Sequence, residues 1–295
     1  MKRQRELATW VGAILGSLCA LIFAVAQSHA TENRGQFTQE FHQTYALAAG
    51  GRVALENING SVHITGWDRN DVKVDAVKYA RSKQRLDEAK IVVDASTDSV
   101  SIRTEYPDHN LTFSDDDRDN PASVEYTLSV PRNARLDGIK LINGALDVQG
   151  IAGEVRASCI NGHLKASGLG GPVKLSTINN RVEAQFDRLG ASSVELASVN
   201  GSVLLTMPSD SKAELEASTV SGSISNDFGL RVRNHRIVGH DLHGELAGGG
   251  PRIKLSNVNG TIEIRHASDN RTLSPVRDLN RGSDSDRDDD DDNEI

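Results

Sequence analysis

The sequence is poor in the residues that build disulfide-bonded domains and aromatic cores. Its 295 residues include two cysteines, two tryptophans, four tyrosines and six phenylalanines. Cys19 lies in an apolar N-terminal run, so removal of that run leaves Cys159 alone and excludes an internal disulfide. The scarcity of large aromatic side chains disfavours a sandwich core and suits a narrow interior filled by Val, Ile, Leu and Ala.

Motifs with a known catalytic or ligand-binding mechanism are also absent. There is no Gly-rich phosphate loop after a strand, no His-Glu-x-x-His and no nucleophile elbow. The weak candidates for metal ligands are His240 and His243 in a polar stretch, and Asp115 and Asp117 in an acidic one. Neither pair has the spacing of a structural zinc site or an EF-hand loop. The sequence therefore predicts no catalytic residues, no cofactor and no metal site.

The charge distribution argues against a nucleic-acid partner. There are 41 acidic against 33 basic residues, and no basic stripe or aromatic platform stands out. Much of the acidic excess is concentrated between Asp284 and Glu294. Residues 267–295 are predicted to be a disordered acidic tail, because their charges repel one another and few apolar residues are present to be buried.

The N-terminus has the features of an export signal. Three basic residues within the first five positions precede an apolar run over residues 7–26, and Ser28 and Ala30 place small residues at positions −3 and −1 of a cleavage site. These features predict a signal peptide over residues 1–30 and a periplasmic or cell-envelope location. If uncleaved, the run is long enough to anchor the protein in the inner membrane.

One short motif recurs along the rest of the chain. It is an Asn-Gly pair that follows a strand-like segment. The asparagines at positions 143, 161, 179 and 200 are separated by 18, 18 and 21 residues. Such self-similarity is typical of stacked repeats, in which each unit buries its apolar face against its neighbours. The residues assigned to these turns are Asn59, Gly60, Asn143, Gly144, Asn161, Gly162, Asn179, Asn200, Gly201, Asn259 and Gly260.

Each Asn-Gly pair is followed by an alternating strand pattern. Alternation at period two predicts one buried face, with Leu146, Leu164, Val182 and Val203 forming a single inward row. Asn and Gly tolerate positive φ, and in a stack the asparagines could hydrogen-bond from one coil to the next. Asn-Gly is also a strong hairpin signal, so a meander or sandwich of hairpins remains the alternative to a parallel β-solenoid.

The predicted organisation is a single all-β solenoid domain over residues 51–266 between two polar ends. A short helix is expected near 81–90, where strand alternation gives way to helix-forming residues. The segments in order are a polar lead-in (31–50), a less regular section (51–131), regular repeats (135–229), a loop insertion that replaces about one unit (230–250) and a final repeat (252–266).

The repeats resemble a bacterial adhesin-domain family of unknown function, related to the head domains of auto-transporter adhesins. The resemblance covers roughly residues 50–265 and is carried by Leu55–Gly66, by Tyr126–Pro131 with its closing Val-Pro, and by Asn143–Gly150 and its successors. It implies a right-handed β-solenoid of exported proteins with no established catalytic residues. This chain departs from the pattern at Asn180, at Ser221 and in the 230–250 insertion.

The outward positions favour a binding surface over a catalytic cleft. Asp147, Lys165, Glu183 and Glu263 are expected to stack as a mixed-charge ladder. We therefore predict a non-enzymatic binding, adhesion or scaffold module whose partner is an envelope protein or a polysaccharide. The open alternative is a polysaccharide-acting β-helix enzyme, a lyase or hydrolase, which would need two or three carboxylates converging in one groove.

Overall fold

The computed structural model describes residues 37–107, 121–235 and 238–279. The predicted signal peptide, the acidic pair Asp115 and Asp117 and the aspartate-rich end of the tail lie outside the described residues. The described chain is all-β with one short helix, and its strands form one nearly closed, barrel-like sheet. No helix within the described ranges is long and apolar enough to cross a membrane.

The elements alternate short strands with tight turns. In chain order they are β1 (Phe37–Ala46), β2 (Arg52–Asn59), β3 (Val62–Trp67), β4 (Asp71–Ala80), α1 (Lys83–Glu88), β5 (Lys90–Ala95), β6 (Ser99–Glu105), β7 (Ser123–Pro131), β8 (Arg135–Asn143), β9 (Leu146–Gln149), β10 (Val155–Asn161), β11 (Leu164–Ser167), β12 (Val173–Asn179), β13 (Val182–Gln185), β14 (Val194–Asn200), β15 (Val203–Met207), β16 (Ala213–Asn226), β17 (Arg233–Asn234), β18 (His240–Leu246), β19 (Arg252–His266) and β20 (Val276–Asp278).

The central repeats stack in parallel and in register. Each contributes one strand before its Asn-Gly turn and one after it. Strand β10 pairs in parallel with β8 and β12, and β11 pairs in parallel with β9 and β13. The strands on either side of an Asn-Gly turn therefore pair with other repeats. In a hairpin the two strands on either side of a turn pair with each other. The hairpin alternative is therefore wrong for these units.

Two faces result from this stacking. The first face consists of the strands before the turns, namely β2, β8, β10, β12, β14 and the first halves of β19 and β16. The second face consists of the strands after the turns, namely β3, β9, β11, β13, β15 and the second halves of β19 and β16.

The predicted inward row is confirmed. Leu164 lies in register between Leu146 and Val182, and Val182 is followed by Val203. All four side chains are at most 1% exposed. Period-two alternation places them on the same side of their strands, and the constant offset from the turn aligns them from repeat to repeat. The aliphatic interior between the two faces is thus a continuous column of small and medium side chains.

The order of the outer repeats differs from the sequence order. Strand β2 lies between β6 and β8, and strand β3 lies between β7 and β9. At the opposite end, β19 lies between β14 and β16. The loop insertion expected over residues 230–250 is wrong in part, because this segment contains the strand β18. Strand β18 pairs antiparallel with β16, and the chain then returns as β19 on the other side of β16.

The expected polar lead-in contains a strand. Strand β1 pairs antiparallel with β4, and its partly buried Phe37, Phe41 and Tyr45 pack on the core. Next to it, α1 lies within the predicted helical region. Ser82 accepts a hydrogen bond from the Arg85 backbone N–H at the start of this helix.

The end of the helix is closed by a buried lysine. Lys78 of β4 donates from Nζ to the carbonyl oxygens of Leu86 and Ala89, at 3.1 and 3.0 Å. Burial lowers the pKa of Lys78, the effect expected when an ammonium group leaves water. The two carbonyls would otherwise be unpaired at the helix C-terminus.

The tail is ordered as far as Leu279, so the expectation of disorder from residue 267 is wrong for this part. Strand β20 pairs antiparallel with β18. Ser274 is buried, and its Oγ donates to the Ser211 carbonyl oxygen at 2.7 Å. Disorder was predicted from the charge of the whole segment. Its first part is nevertheless held against the sheet by backbone pairing and a few buried contacts.

Candidate functional site

The Asn-Gly asparagines form a ladder along one corner of the stack. Asn161 Nδ2 donates to Asn143 Oδ1 at 2.9 Å, and Asn179 Nδ2 donates to Asn161 Oδ1 at 2.7 Å. Each amide inside the ladder therefore gives one hydrogen bond to the preceding repeat in the stack and accepts one from the next. The ladder runs through Asn59, Asn143, Asn161, Asn179, Asn200 and Asn259.

The glycines beside the ladder are required for two different reasons. Gly144 has φ of 147°, a conformation that favours glycine. Gly162 and Gly201 are instead sites of close approach, where an added Cβ would lie 1.8 and 1.9 Å from the carbonyl oxygens of Gly144 and Asn180. Asn180, which replaces glycine in one repeat, adopts φ of 97°. The repeated turn thus combines backbone freedom with direct contact between coils.

The first Asn-Gly turn is closed by a buried polar network. Asn57 Nδ2 donates to three carbonyl oxygens, and Asn57 Oδ1 accepts from Thr104 Oγ1 at 2.9 Å. The Tyr126 hydroxyl lies 2.7 Å from Thr104 Oγ1. Burial raises the pKa of Tyr126 far above its usual value, so its hydroxyl stays neutral. We interpret this network as structural, since it is enclosed by the fold.

Exposed aliphatic side chains form a straight row across the first face. One isoleucine or valine precedes each turn asparagine, or Ser221 in the repeat that lacks one, and strand register places it beside its counterpart on the next strand. Each is between 37% and 52% exposed. This aliphatic row consists, in stacking order, of Ile58, Ile142, Ile160, Ile178, Val199, Val258 and Val220.

A second row on the same face is uncharged. It lies two residues before the aliphatic row, and we call it the serine row, made of Ser158, Ser176, Ala197, Ser256 and Ser218. The two rows line a solvent-open groove of about 480 Å³. Contiguous exposed apolar surface of this kind is typical of interaction sites. Sequence reasoning missed it, although the Ile or Val before every turn was visible in the repeats.

The second face carries charge. The predicted residues Asp147, Lys165, Glu183 and Glu263 do lie in one outward row, with Leu204 between the two glutamates. At the N-terminal side of Asp147 the row continues with His63, whose Nδ1 lies 3.9 Å from Asp147 Oδ2. We call these residues the charge row. The signs of Asp147, Lys165 and Glu183 differ from strand to strand, and the uncharged Leu204 separates Glu183 from Glu263.

The predicted metal candidates are not brought together. His240 and His243 are three positions apart on β18 and so lie on opposite sides of that strand. His240 Nδ1 contacts Asn234 Oδ1 at 2.6 Å, and His243 Nε2 contacts Glu214 Oε1 at 3.1 Å. Across the parts of the chain that the structure describes, no group of three or more His, Cys, Asp or Glu side chains is arranged to hold a metal ion.

A serine, histidine and aspartate do meet near the C-terminal end of the stack. Ser209 Oγ lies 2.9 Å from His266 Nδ1 and 2.6 Å from Asp269 Oδ1. In a hydrolytic triad the carboxylate orients the histidine, whereas here Asp269 bonds directly to the serine. Ser209 is also only 2% exposed, so substrate cannot reach its hydroxyl. The group fastens the segment after β19 to the sheet.

The lone described cysteine is also structural. Cys159 is 3% exposed, and its Sγ lies 3.4 Å from the Gly144 carbonyl oxygen. Burial raises the pKa of this thiol, which reduces the thiolate fraction and hence its reactivity. Thr177 and Ser198 occupy the equivalent position in the next two repeats.

Comparison with known proteins yields similarity to solved structures only. No protein-family model and no curated protein matches the chain. A candidate cell adhesion protein of Clostridium sporogenes is 10% identical, with a TM-score of 0.40, over 77% of this chain and 100% of that one. A candidate adhesin of Bacteroides fragilis is 10% identical, with a TM-score of 0.26, over 77% and 97%.

A third solved structure is a candidate lipid-binding protein of Parabacteroides distasonis. It is 8% identical, with a TM-score of 0.24, over 77% of this chain and 96% of that one. All three scores are below 0.5, so a functional assignment has to rest on this chain's own residues.

Proposed function

We propose that this chain is an exported, non-enzymatic right-handed β-solenoid of the cell envelope that acts as a binding, adhesion or scaffold module. Its partner is an envelope protein or a polysaccharide. The export signal predicted over residues 1–30 supports the location, and an uncleaved signal would tether the module to the inner membrane. The in-register parallel repeats support the solenoid.

The observation that carries this proposal is the charge row. Side chains of mixed charge on adjacent parallel strands present a long surface to an extended partner. Such a surface holds a ligand by many weak contacts along its length. Asp147 and Glu183 belong to the same outward row of one sheet, so they do not face each other across a scissile bond.

The enzyme alternative has one observation in its favour. Asp147 and Glu183 are two strands apart, which corresponds to about 9.6 Å, close to the carboxylate separation of inverting glycosidases. Lys165 lies between them on the intervening strand and occupies the space that a catalytic water would need. We therefore favour the binding module over a lyase or hydrolase.

A single experiment can separate the two functions. The mature protein is used as bait for envelope extracts and is co-sedimented with insoluble cell-wall polysaccharides, while the supernatant is assayed for new reducing ends and for unsaturated lyase products. The matched variants are Lys165→Glu, which reverses the central charge of the row, and Lys212→Glu, which makes the same change outside the row.

We expect retention of a partner that Lys165→Glu weakens at least threefold and Lys212→Glu leaves unchanged, with no product released. Release of product that Asp147→Asn abolishes would replace the binding module with the enzyme. Retention unaffected by Lys165→Glu would remove the charge row from the proposal.

A further inference from the structure

We propose that the first face is a self-association surface, on which a second copy of this chain docks with its aliphatic row against that of the first. The proposal concerns the first face alone and does not depend on what the charge row of the second face binds. It rests on the size of the face, on its uncharged centre and on the order of charges at its two ends.

The face has the dimensions of a protein interface. The aliphatic row crosses seven strands, and six strand spacings correspond to about 29 Å. Seven-residue strands such as β10 extend about 23 Å in the other direction. The resulting area of roughly 670 Å² is close to the ~800 Å² that each partner contributes to a standard interface.

The centre of the face suits a copy of itself. β-Branched side chains at a constant strand spacing can interdigitate with an identical row, as in two sheets packed face to face. The serine row beside it holds four hydroxyl-bearing residues and one alanine, so two copies meet there without like-charge repulsion. This matters for a chain whose formal net charge is −8.

The ion pairs at the two ends of the serine row are ordered so that two copies are complementary. Beyond Ser158 come Lys140 and then Glu56, which pair with each other at 2.8 Å. Beyond Ser218 come Asp241 and then Arg233, which pair at 3.0 Å. When the two stacks run in opposite directions about a twofold axis at β14, Lys140 lies opposite the partner's Asp241. Glu56 then lies opposite the partner's Arg233.

This arrangement is the isologous contact that twofold dimers use, in which every pair of residues occurs twice. It also places Val199 against the partner's Val199 on the axis. The two aliphatic rows then overlap over the five strands from β10 to β16, whereas β8 and β2 lie opposite the partner's β18 and β17. A sugar polymer is a poorer occupant, because the groove has no aromatic side chain on which a sugar ring could stack.

The first test is the association state of the mature protein. Sedimentation velocity is measured from low micromolar to several hundred micromolar concentration, on the wild type, on Ile178→Lys and on Gln185→Lys. Ile178 is 43% exposed in the aliphatic row, whereas Gln185 is exposed on the second face. Both variants add the same charge, so a difference between them reports the face and not the net charge.

We expect a concentration-dependent dimer for the wild type and for Gln185→Lys, and at least a tenfold weaker dimer for Ile178→Lys with an unchanged melting temperature. A wild type that stays monomeric throughout would overturn the proposal, as would equal dimerisation of all three proteins. Capture of acyl chains or glycans by a monomer would likewise assign the face to another occupant.

The second test concerns the orientation of the two copies. Lys140→Glu and Asp241→Lys each place like charges opposite one another, and the double variant restores opposite charges in exchanged positions. We expect each single variant to weaken the dimer severalfold and the double variant to recover most of the loss. A double variant no better than the weaker single one would overturn the antiparallel arrangement.

Discussion

The middle of the stack and its two ends are built by different rules. In the middle, residues 155–185, each repeat pairs with the repeats before and after it in sequence, always in parallel. At the ends, repeats lie between neighbours that are distant in sequence, and the described antiparallel pairs are confined to these regions. Regular stacking is thus sufficient for the interior, whereas the ends need additional elements.

The difference follows from what each region must satisfy. A central strand has a partner on both sides, so its backbone groups are paired by repetition alone. A terminal strand would leave a row of unpaired N–H and C=O groups, which invites aggregation. Here β18 covers the far edge of the first half of β16. At the opposite end of the stack, β7, β4 and β1 continue the second face beyond β3, and α1 packs on β4 and β1. Capping units of this kind are a general need of repeat proteins.

The largest expected effect is a charge in the central core. Leu164 is fully buried, and no basic side chain belongs to its inward row. Leu164→Asp should cost on the order of 4 kcal/mol or more, because an unpaired buried carboxylate loses its hydration. Leu164→Val is the control, with a cost of about 1 kcal/mol, since Val182 fills the same position one repeat on. Urea unfolding of both variants measures the difference. Equal stability of Leu164→Asp and wild type would contradict the inward row.

The next effect concerns the contact between coils at the turns. An added Cβ at Gly162 would lie 1.8 Å from a backbone oxygen, so Gly162→Ala forces neighbouring coils apart and should cost about 2–3 kcal/mol. At Gly190 the nearest atom would be 3.4 Å away, an ordinary contact, so Gly190→Ala should change stability by less than about 1 kcal/mol. Thermal melts of the two alanine variants give the comparison. A smaller loss for Gly162→Ala than for Gly190→Ala would show that close stacking is not needed.

A smaller effect is expected from removal of one cap. Truncation after Asn270 deletes β20 and the hydrogen bond from Ser274 to Ser211, and it exposes the edge of β18. We expect a loss of about 1–3 kcal/mol, the sum of a few net hydrogen bonds. Truncation after Leu279 retains these contacts and serves as the control, with little change expected. If both truncations melt like the full chain, β20 contributes nothing to the cap.

The smallest effect is a pH dependence at the opposite cap. Hydrogen bonds from the His42 imidazole to Asp75 and then to Glu40 raise the pKa of His42 above its usual value of 6.5. A raised folded-state pKa gives stability that is fully present below the unfolded pKa and is lost as pH rises through the folded value. The wild type should therefore be slightly less stable at a pH above the raised pKa of folded His42 than at a pH below 6.5. His42→Gln should flatten that difference in melts across the same pH range, and the effect is small because the site is exposed to solvent.

Sequence reasoning was accurate where residues repeat. The inward row, the asparagine ladder and the charge row all follow from a constant offset to the Asn-Gly turn. The inward row and four members of the charge row were predicted by residue, whereas His63 and Leu204 were not. The order of the outer repeats could not be predicted in this way. The units are so alike that any strand before a turn can pair with any other. The repeat pattern therefore determines the register of two paired strands, but it does not determine which strands pair.

The capping strands were missed for a related reason. In β1 the aromatic residues Phe37, Phe41 and Tyr45 recur at every fourth position, which weakens the period-two pattern. In β20 all three residues are exposed, and the strand is held by backbone pairing, by the ion pair of Arg277 with Glu245 and by a hydrogen bond from the Arg231 N–H to Asp278. The aliphatic row was overlooked because an apolar residue within a strand suggests burial, and the strand register that exposes it is set by the whole fold.

The non-sequential caps have a consequence for how the molecule can change in length. A unit such as residues 164–181 joins its neighbours only through pairings that every central repeat makes. Duplication or deletion of one unit would change the height of the stack by about 4.8 Å and would leave both caps intact. Units added beyond either cap would find no partner. The length of the stack can therefore change only in steps of one repeat, and only by changes to the central repeats.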